Sequence, residues 1–265
     1  MTKHTFFIDY DGVILNSFNE KLFTGYNAYH ILNNNTKLFN SEKLTFDNYQ
    51  FQINDNVNLV RLFRCLVPFI GIAGENACAF KIIESSKKLP ANKVQFKNAI
   101  NHFCNDLYYE YNKLVKSLRE KYSKNSSEKF LNLCPSHKKI VKIIKEHSDQ
   151  INWEIISKKP IENILYFNKQ FKIDKSISGV HYCDANIDDK SEMILKIAKE
   201  KEINNQQIFF IDDLYINLKN LHYKGAKCML ADWGFESDEI KNIASSLGIN
   251  VLTKLDFEMF VKSLF

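Results

Sequence analysis

Residues able to do chemistry sit at four places in this chain, each just past an apolar run or at the start of a helix-like one. Asp9 and Asp11 stand two apart at the end of Thr5–Tyr10 (TFFIDY), and Gly12-Val13 follow. Ser157 closes Ile151–Ser157 (INWEIIS) and is followed by Lys158 and Lys159. Lys190 precedes an amphipathic stretch, Ser191–Lys201. Asp212 and Asp213 end the run Gln207–Ile211 (QIFFI), with Asn217 in the turn beyond. Carboxylates gathered where a chain turns are costly unless cations neutralise them. A few hard oxygen ligands, completed by water and phosphate, suit Mg²⁺. A carboxylate is also a covalent nucleophile toward phosphorus. A lysine and a hydroxyl would steady the transferring oxygens as charge shifts in the transition state. Together these residues describe a place for a divalent cation and a phosphoryl group.

The elements that must position them follow from the hydrophobic pattern. TFFIDY reads as a buried strand, and Gly12 supplies backbone freedom where the chain must leave it sharply. From there to about Leu133 only helices are expected: Phe18–Leu32, Asn58–Leu66 and Glu75–Lys87. One long helix is predicted over Val94–Tyr122, because Phe96, Ile100, Phe103, Leu107, Tyr111, Leu114, Leu118 and Tyr122 form a single stripe. The pattern then changes. A helix from Pro135 to about His147, the strand Ile151–Ser157, a helix Ile161–Phe171 and a weaker strand Ser178–Cys183 come in turn. Helix Ser191–Lys201, strand Gln207–Ile211, helix Leu218–Tyr223 and strand Cys228–Ala231 complete the alternation. Strand alternating with helix means a parallel sheet covered on both faces. The expected fold class is therefore α/β: a doubly wound parallel-sheet (Rossmann-like) core with an inserted all-helical cap. The core takes residues 1–15 and 132–265, and the cap takes 16–131. Ligands of such sheets bind at the carboxyl ends of the strands.

The order hhhDxDGV, strand-end hydroxyl, lysine, hhhDD resembles the four motifs of haloacid dehalogenase-like hydrolases. FIDYDGVILNS is similar to the first, EIISKKP to the second, Lys190 with its helix to the third and FFIDDLYIN to the fourth. A long insert after the first motif is where that family carries a helical cap, and Ala231-Asp232-Trp233-Gly234 resembles its strand-and-glycine exit. The resemblance implies that Asp9 attacks phosphorus and that Asp11 protonates the leaving alcohol, then activates water. It implies phosphate binding by Ser157 and Lys190, with Lys196 as the substitute for the latter. It implies Mg²⁺ ligation by the Asp9 carboxylate, the Asp11 backbone carbonyl and Asp213, with Asp212 and Asn217 supporting from outside. Many relatives carry an acid where Asn217 stands, so the fourth motif is here a DDxxxN variant.

Composition narrows the alternatives. The 265 residues are 45% apolar and 25% charged, globular averages that exclude fibrous and disordered classes. The net charge of +5 is almost wholly lysine, with Arg61, Arg64 and Arg119 the only arginines. That field would gather phosphorylated substrates. No basic run interleaved with aromatics and no zinc-finger spacing supports a nucleic-acid partner. The six cysteines form no CxxC pair, as expected of reduced thiols in a cytoplasmic protein. No signal-peptide pattern is seen, and the longest apolar stretch, Cys65–Ala73, is too short for a bilayer and contains Pro68. Oligomeric state is not encoded legibly.

The expected activity is hydrolysis of a small phosphomonoester, of the sugar phosphate or nucleotide class, through an aspartyl phosphate on Asp9. A protein phosphatase, a phosphomutase and a catalytically silent phosphate- or partner-binding module are the alternatives. A dehalogenase is disfavoured because those relatives lack the second aspartate, here Asp11. Arg61 and Arg64 read as surface salt-bridging residues more readily than as anion ligands, and Tyr108, Tyr109 and Tyr111 as packing. His30, His102, His137, His147 and His181 show no metal-ligand spacing and read as structural.

Overall fold

The computed structural model describes residues 3–183 and 189–265. Strand β1 (His4–Ile8) opens the chain, which then leaves for seven helices. These are α1 (Phe18–Leu32), α2 (Tyr49–Asp55), α3 (Val57–Leu66), α4 (Glu75–Ser85), α5 (Lys93–Phe103), α6 (Tyr108–Asn125) and α7 (Ser127–Leu133). The chain returns through α8 (Lys138–Glu146), β2 (Ile151–Ser157), α9 (Ile161–Phe171), β3 (Ile177–Tyr182) and α10 (Ser191–Glu200). It ends with β4 (Phe209–Asp212), α11 (Tyr215–Tyr223), β5 (Lys227–Ala231), α12 (Asp238–Ser246), β6 (Asn250–Leu252) and α13 (Lys254–Lys262). Two compact units result, one made of residues up to Asn16 with Ser136–Phe265, the other of Ser17–Pro135.

The first unit is a six-stranded, wholly parallel sheet in the order β3-β2-β1-β4-β5-β6. It is an α/β Rossmann-like core. β1 lies at its centre because its side chains are apolar on both faces, as a strand covered by helices on each side requires. On one face Phe7, Ile156, Phe210 and Leu230 pack with Ile194 and Ile197 of α10 and Leu218 and Leu221 of α11. On the other, Phe6 lies between Trp153 (ring centroids 5.0 Å apart) and Phe209 (5.6 Å), with Phe257 of α13 edge-on at 5.6 Å. Each such buried ring contributes roughly 2–3 kcal/mol. α13 is started by a capping box in which Thr253 and Asp256 satisfy each other's backbone amides. That fixes where Phe257 enters the core. β6, α12 and α13 follow the last strand legible in the sequence.

The second unit is all-helical. α1 and α4 approach so closely that a Cβ on Gly25 would stand 2.6 Å from the Asn76 Cβ. Its core is aromatic, with Phe63 and Phe80 stacked at 4.7 Å and Tyr26 edge-on to Phe39 and Phe80. The single helix expected over Val94–Tyr122 is in fact two. α5 stops at Phe103, a 3₁₀ turn occupies Asn105–Leu107, and α6 starts afresh at Tyr108. The apolar stripe hides the break, since Phe96, Ile100, Tyr111 and Leu118 are all buried. What breaks the helix is polar: Asn105 and Asp106 compete with helical hydrogen bonding, and Cys104 leaves helical geometry at φ −127°, ψ 0°. The helix expected to open at Pro135 also starts later, at Lys138. Ser136 instead bridges Leu15, and the His137 amide donates to the Ile14 carbonyl at 2.8 Å.

Candidate active site

Parallel pairing brings the sequence-selected residues to one end of the sheet. Ile8 pairs with Ile211 and with Ile155, so Asp9 emerges beside Asp212 and near Ser157. The Asp9 amide donates to the Ile211 carbonyl at 2.9 Å, extending the β1–β4 ladder to the acid itself. Carboxylate oxygens of Asp9, Asp212 and Asp213 all lie within 4.8 Å of one another, and all three residues are buried. Lys190, 2% exposed, donates to Asp9 Oδ1 and to Asp212 Oδ2, each at 2.7 Å. Lys196, the alternative, is exposed on α10.

The two acids after β4 have different surroundings. Asp212 Oδ1 accepts from the Leu214 amide at 2.9 Å and from Asn217 Nδ2 at 3.0 Å, while Oδ2 takes Lys190. Its oxygens are thus occupied by protein donors, and Asn217 acts on Asp212. Asp213 is wedged between glycines. A Cβ on Gly12, whose φ is +87°, would fall on the Asp213 carboxylate, and one on Gly234 would fall on the Asp213 side chain as well. The Phe235 amide donates to Asp213 Oδ2 at 3.0 Å. Ser157 is 2% exposed, and its Oγ accepts from the Lys159 amide at 3.2 Å. Asp11 stands outside the three-carboxylate cluster, with Oδ2 3.3 Å from Lys159 Nζ.

Electrostatics follow from the burial. Burial pushes the Asp9 carboxyl up to about 7; the charges of Asp212 and Asp11 add to the rise, and Lys190 opposes it. Burial works against the Lys190 ammonium too, but Asp212 and Asp9 outweigh it and keep it above the ordinary lysine range. One ammonium does not balance three clustered carboxylates, and the surplus of hard oxygen donors fits a divalent cation of the Mg²⁺ type.

Three residues to which the sequence reading gave no role of their own also serve this end of the sheet. Lys159 is one. Trp233 Nε1 donates to the Val13 carbonyl at 3.1 Å. His137, read as merely structural, is hydrogen-bonded to the Gly12 backbone, while Lys254 Nζ lies 3.0 Å from its Nδ1. That arrangement requires a neutral ring, Nδ1 accepting and Nε2 donating. No spacing rule reveals His137 or Trp233, because each meets the Gly12–Val13 loop only through the fold. The doublet after Ser157 was a visible signal for Lys159. In the helical unit, Arg64 lies over the Phe18 ring at 3.9 Å, Tyr111 is buried and Tyr109 is exposed.

Burial, then the Lys254 charge, lower the His137 pKa to about 4 from an ordinary 6.5. Its neutral form is therefore favoured by folding. The stability it confers is complete above pH 6.5, falls as the unfolded chain binds the proton, and is fully lost near pH 4. Allowing for partial exposure, the loss is about 2 kcal/mol. Urea unfolding should show His137→Gln with a shallower decline than the wild type between pH 6.5 and 4. Parallel declines would contradict this role.

The sequence matches no family model and no curated protein at a significant level. Solved structures match throughout. A predicted phosphoglycolate phosphatase from Haemophilus somnus is 14% identical, covers 100% of both chains and superposes with a TM-score of 0.63. A haloacid dehalogenase-like hydrolase from Streptococcus pneumoniae is 13% identical over 97% of this chain and 98% of its own, with a TM-score of 0.56. A predicted phosphatase from Clostridium acetobutylicum is 13% identical over 100% and 99%, at 0.54. The chain has the haloacid dehalogenase-like fold, helical insert included.

Proposed function

We propose that this protein is a Mg²⁺-dependent phosphohydrolase that cleaves the phosphomonoester of a small metabolite through an aspartyl phosphate on Asp9. The observation that carries this reading is the buried Asp9–Lys190–Asp212 chain beside Asp213, at the strand ends of a haloacid dehalogenase-like fold. Solved neighbours named as phosphatases support the same chemistry.

Asp9 Oδ2 is the nucleophile, since Oδ1 is engaged by Lys190. Lys190 prevents the attacking carboxylate from rotating and offsets charge on the phosphoryl oxygens. The Ser157 hydroxyl donates to one of those oxygens. Asp11 gives its proton to the leaving oxygen as the P–O bond breaks, then takes a proton from the water that hydrolyses the acyl phosphate. The Asp9 and Asp213 carboxylates and the Asp11 carbonyl would hold Mg²⁺, which supplies positive charge against the phosphoryl oxygens. Asp212 and Asn217 would keep Lys190 and the turn after β4 in place. The substrate would be small, such as a sugar phosphate or nucleotide.

The reading is tested by p-nitrophenyl phosphate hydrolysis. Activity should appear with millimolar Mg²⁺, vanish in EDTA and return when Mg²⁺ is restored in excess. Turnover of equal rate in EDTA would remove the metal from the mechanism. None of the described helices is long and apolar enough to cross a membrane.

A further inference from the structure

The first two motifs meet in one ion pair that the assigned roles leave unused. Lys159 lies two residues past Ser157, and its ammonium is 3.3 Å from Asp11 Oδ2. Its side chain is only 9% exposed, while that of Asp11 is 24% exposed. A lysine this far out of water is costly to keep charged unless a carboxylate compensates it. The salt bridges formed by Lys159 and Lys190 are separate: Lys190 serves Asp9 and Asp212, Lys159 serves Asp11. The Lys159 amide also donates to Ser157 Oγ, so one residue is tied to the hydroxyl and to the second acid of the site. The Phe167 ring of α9 stands 5.9 Å from the ammonium, an apolar wall on one side of the stem.

We infer that Lys159 is a positioning residue for Asp11, helping to set the orientation of its carboxylate for proton transfer. The inference rests on Asp11 being the general acid and base of the proposed hydrolysis. In the first step Asp9 forms a bond to phosphorus, the ester P–O bond breaks, and the Asp11 proton passes to the departing oxygen. In the second, water bonds to phosphorus, its proton passes to Asp11, and the Asp9–phosphorus bond breaks to release phosphate. Both transfers need the Asp11 carboxylate aimed at one point above the Asp9 oxygen. Asp11 follows β1 in a loop, where a short carboxylate can turn about two bonds. The Lys159 contact narrows that rotation and is anchored in turn to the β2 end through Ser157.

Leaving-group dependence separates this role from phosphate binding or simple folding. A p-nitrophenolate departs without a proton, whereas the alkoxide of β-glycerophosphate needs one. General acid assistance is worth on the order of 10²–10⁴-fold. The experiment measures kcat/KM for both esters, at saturating Mg²⁺, for the wild type, Lys159→Gln and Lys159→Arg. Lys159→Gln should lose less than about 10-fold on the aryl ester and about 10²-fold or more on the alkyl ester. Lys159→Arg should recover most of the alkyl rate. The aryl rate doubles as a check that the variant is folded. Equal losses on the two esters, or an alkyl rate in Lys159→Gln matching the wild type, would overturn the assignment of Lys159 alone. A wild type inactive on both esters would instead overturn the proposed hydrolysis, and this inference with it.

Discussion

Asp9→Asn should lower p-nitrophenyl phosphate turnover by about 10⁴-fold or more without unfolding the protein. The substitution changes charge at nearly constant volume, in a residue that is 5% exposed. An amide oxygen is too weak a nucleophile toward phosphorus, so the covalent step fails even where the phosphoryl group still binds. The stability outcome is less intuitive. Ionised Asp9 is opposed by its own burial and by the Asp212 charge, which is why its pKa stands near 7. Removing that charge relieves a repulsion that Lys190 only partly offsets. In EDTA the variant should therefore melt at or above the wild-type temperature, a trade of stability for function. Activity retained at more than about 1% of wild type would sink the nucleophile assignment. A melting temperature several degrees lower in EDTA would show that the Lys190 bridge outweighs the repulsion.

The second large effect is expected at Gly12, and the chain supplies its own control. Gly12 and Gly225 both have φ near +90°, at +87° and +91°. An alanine at either position bears backbone strain of about 1–2 kcal/mol. At Gly225 nothing lies within 4 Å of the added methyl, so the cost ends there. At Gly12 the methyl overlaps the Asp213 carboxylate, whose side chain is also closely approached by Gly234, so either the acid or the loop must shift. Gly12→Ala should weaken Mg²⁺ binding by about 10–100-fold, measured by calorimetric titration. Its turnover should fall by about 10²-fold or more, as expected when reacting groups are displaced by an ångström. Gly225→Ala should keep wild-type turnover and Mg²⁺ affinity while losing only thermal stability. Similar metal affinities in the two alanine variants would place Asp213 outside the metal site.

The fold was legible in the sequence wherever one segment carried its own signal. TFFID and QIFFI are apolar on both faces, which only a covered parallel strand tolerates, and acids immediately after them can only lie at the strand mouths. That alone brings Asp9 and Asp212–Asp213 together. The helical stretch from 93 to 125 was misread because periodicity is blind to a break that keeps its phase; Asn105 and Asp106 were the local sign. β6, α12 and α13 carry weak patterns, with Asn250–Leu252 only three residues long. Asp11 with Lys159, Trp233 with Val13, and His137 with Gly12 are pairs of loop residues brought together only by the fold. No one-dimensional reading contains them. Lys190 over Lys196 was chosen for its place before a helix, and the structure puts Lys190 on Asp9 while Lys196 is exposed.

The central position of β1 also has a consequence for how the chain is made. His4 pairs with Ile151 and Phe6 with Phe209, so both neighbours of the middle strand leave the ribosome only after the whole helical unit. The nascent chain can fold Ser17–Pro135, whose contacts are local, while β1 waits without hydrogen-bond partners. During that interval Thr5–Ile8 is an uncharged aromatic segment of the kind that pairs with other copies of itself. Its brevity and the charged residues at either end, Lys3 before it and Asp9 and Asp11 after it, limit that pairing. The same carboxylates assigned to catalysis thus also act as gatekeepers, keeping the unpaired strand soluble until the sheet closes around it.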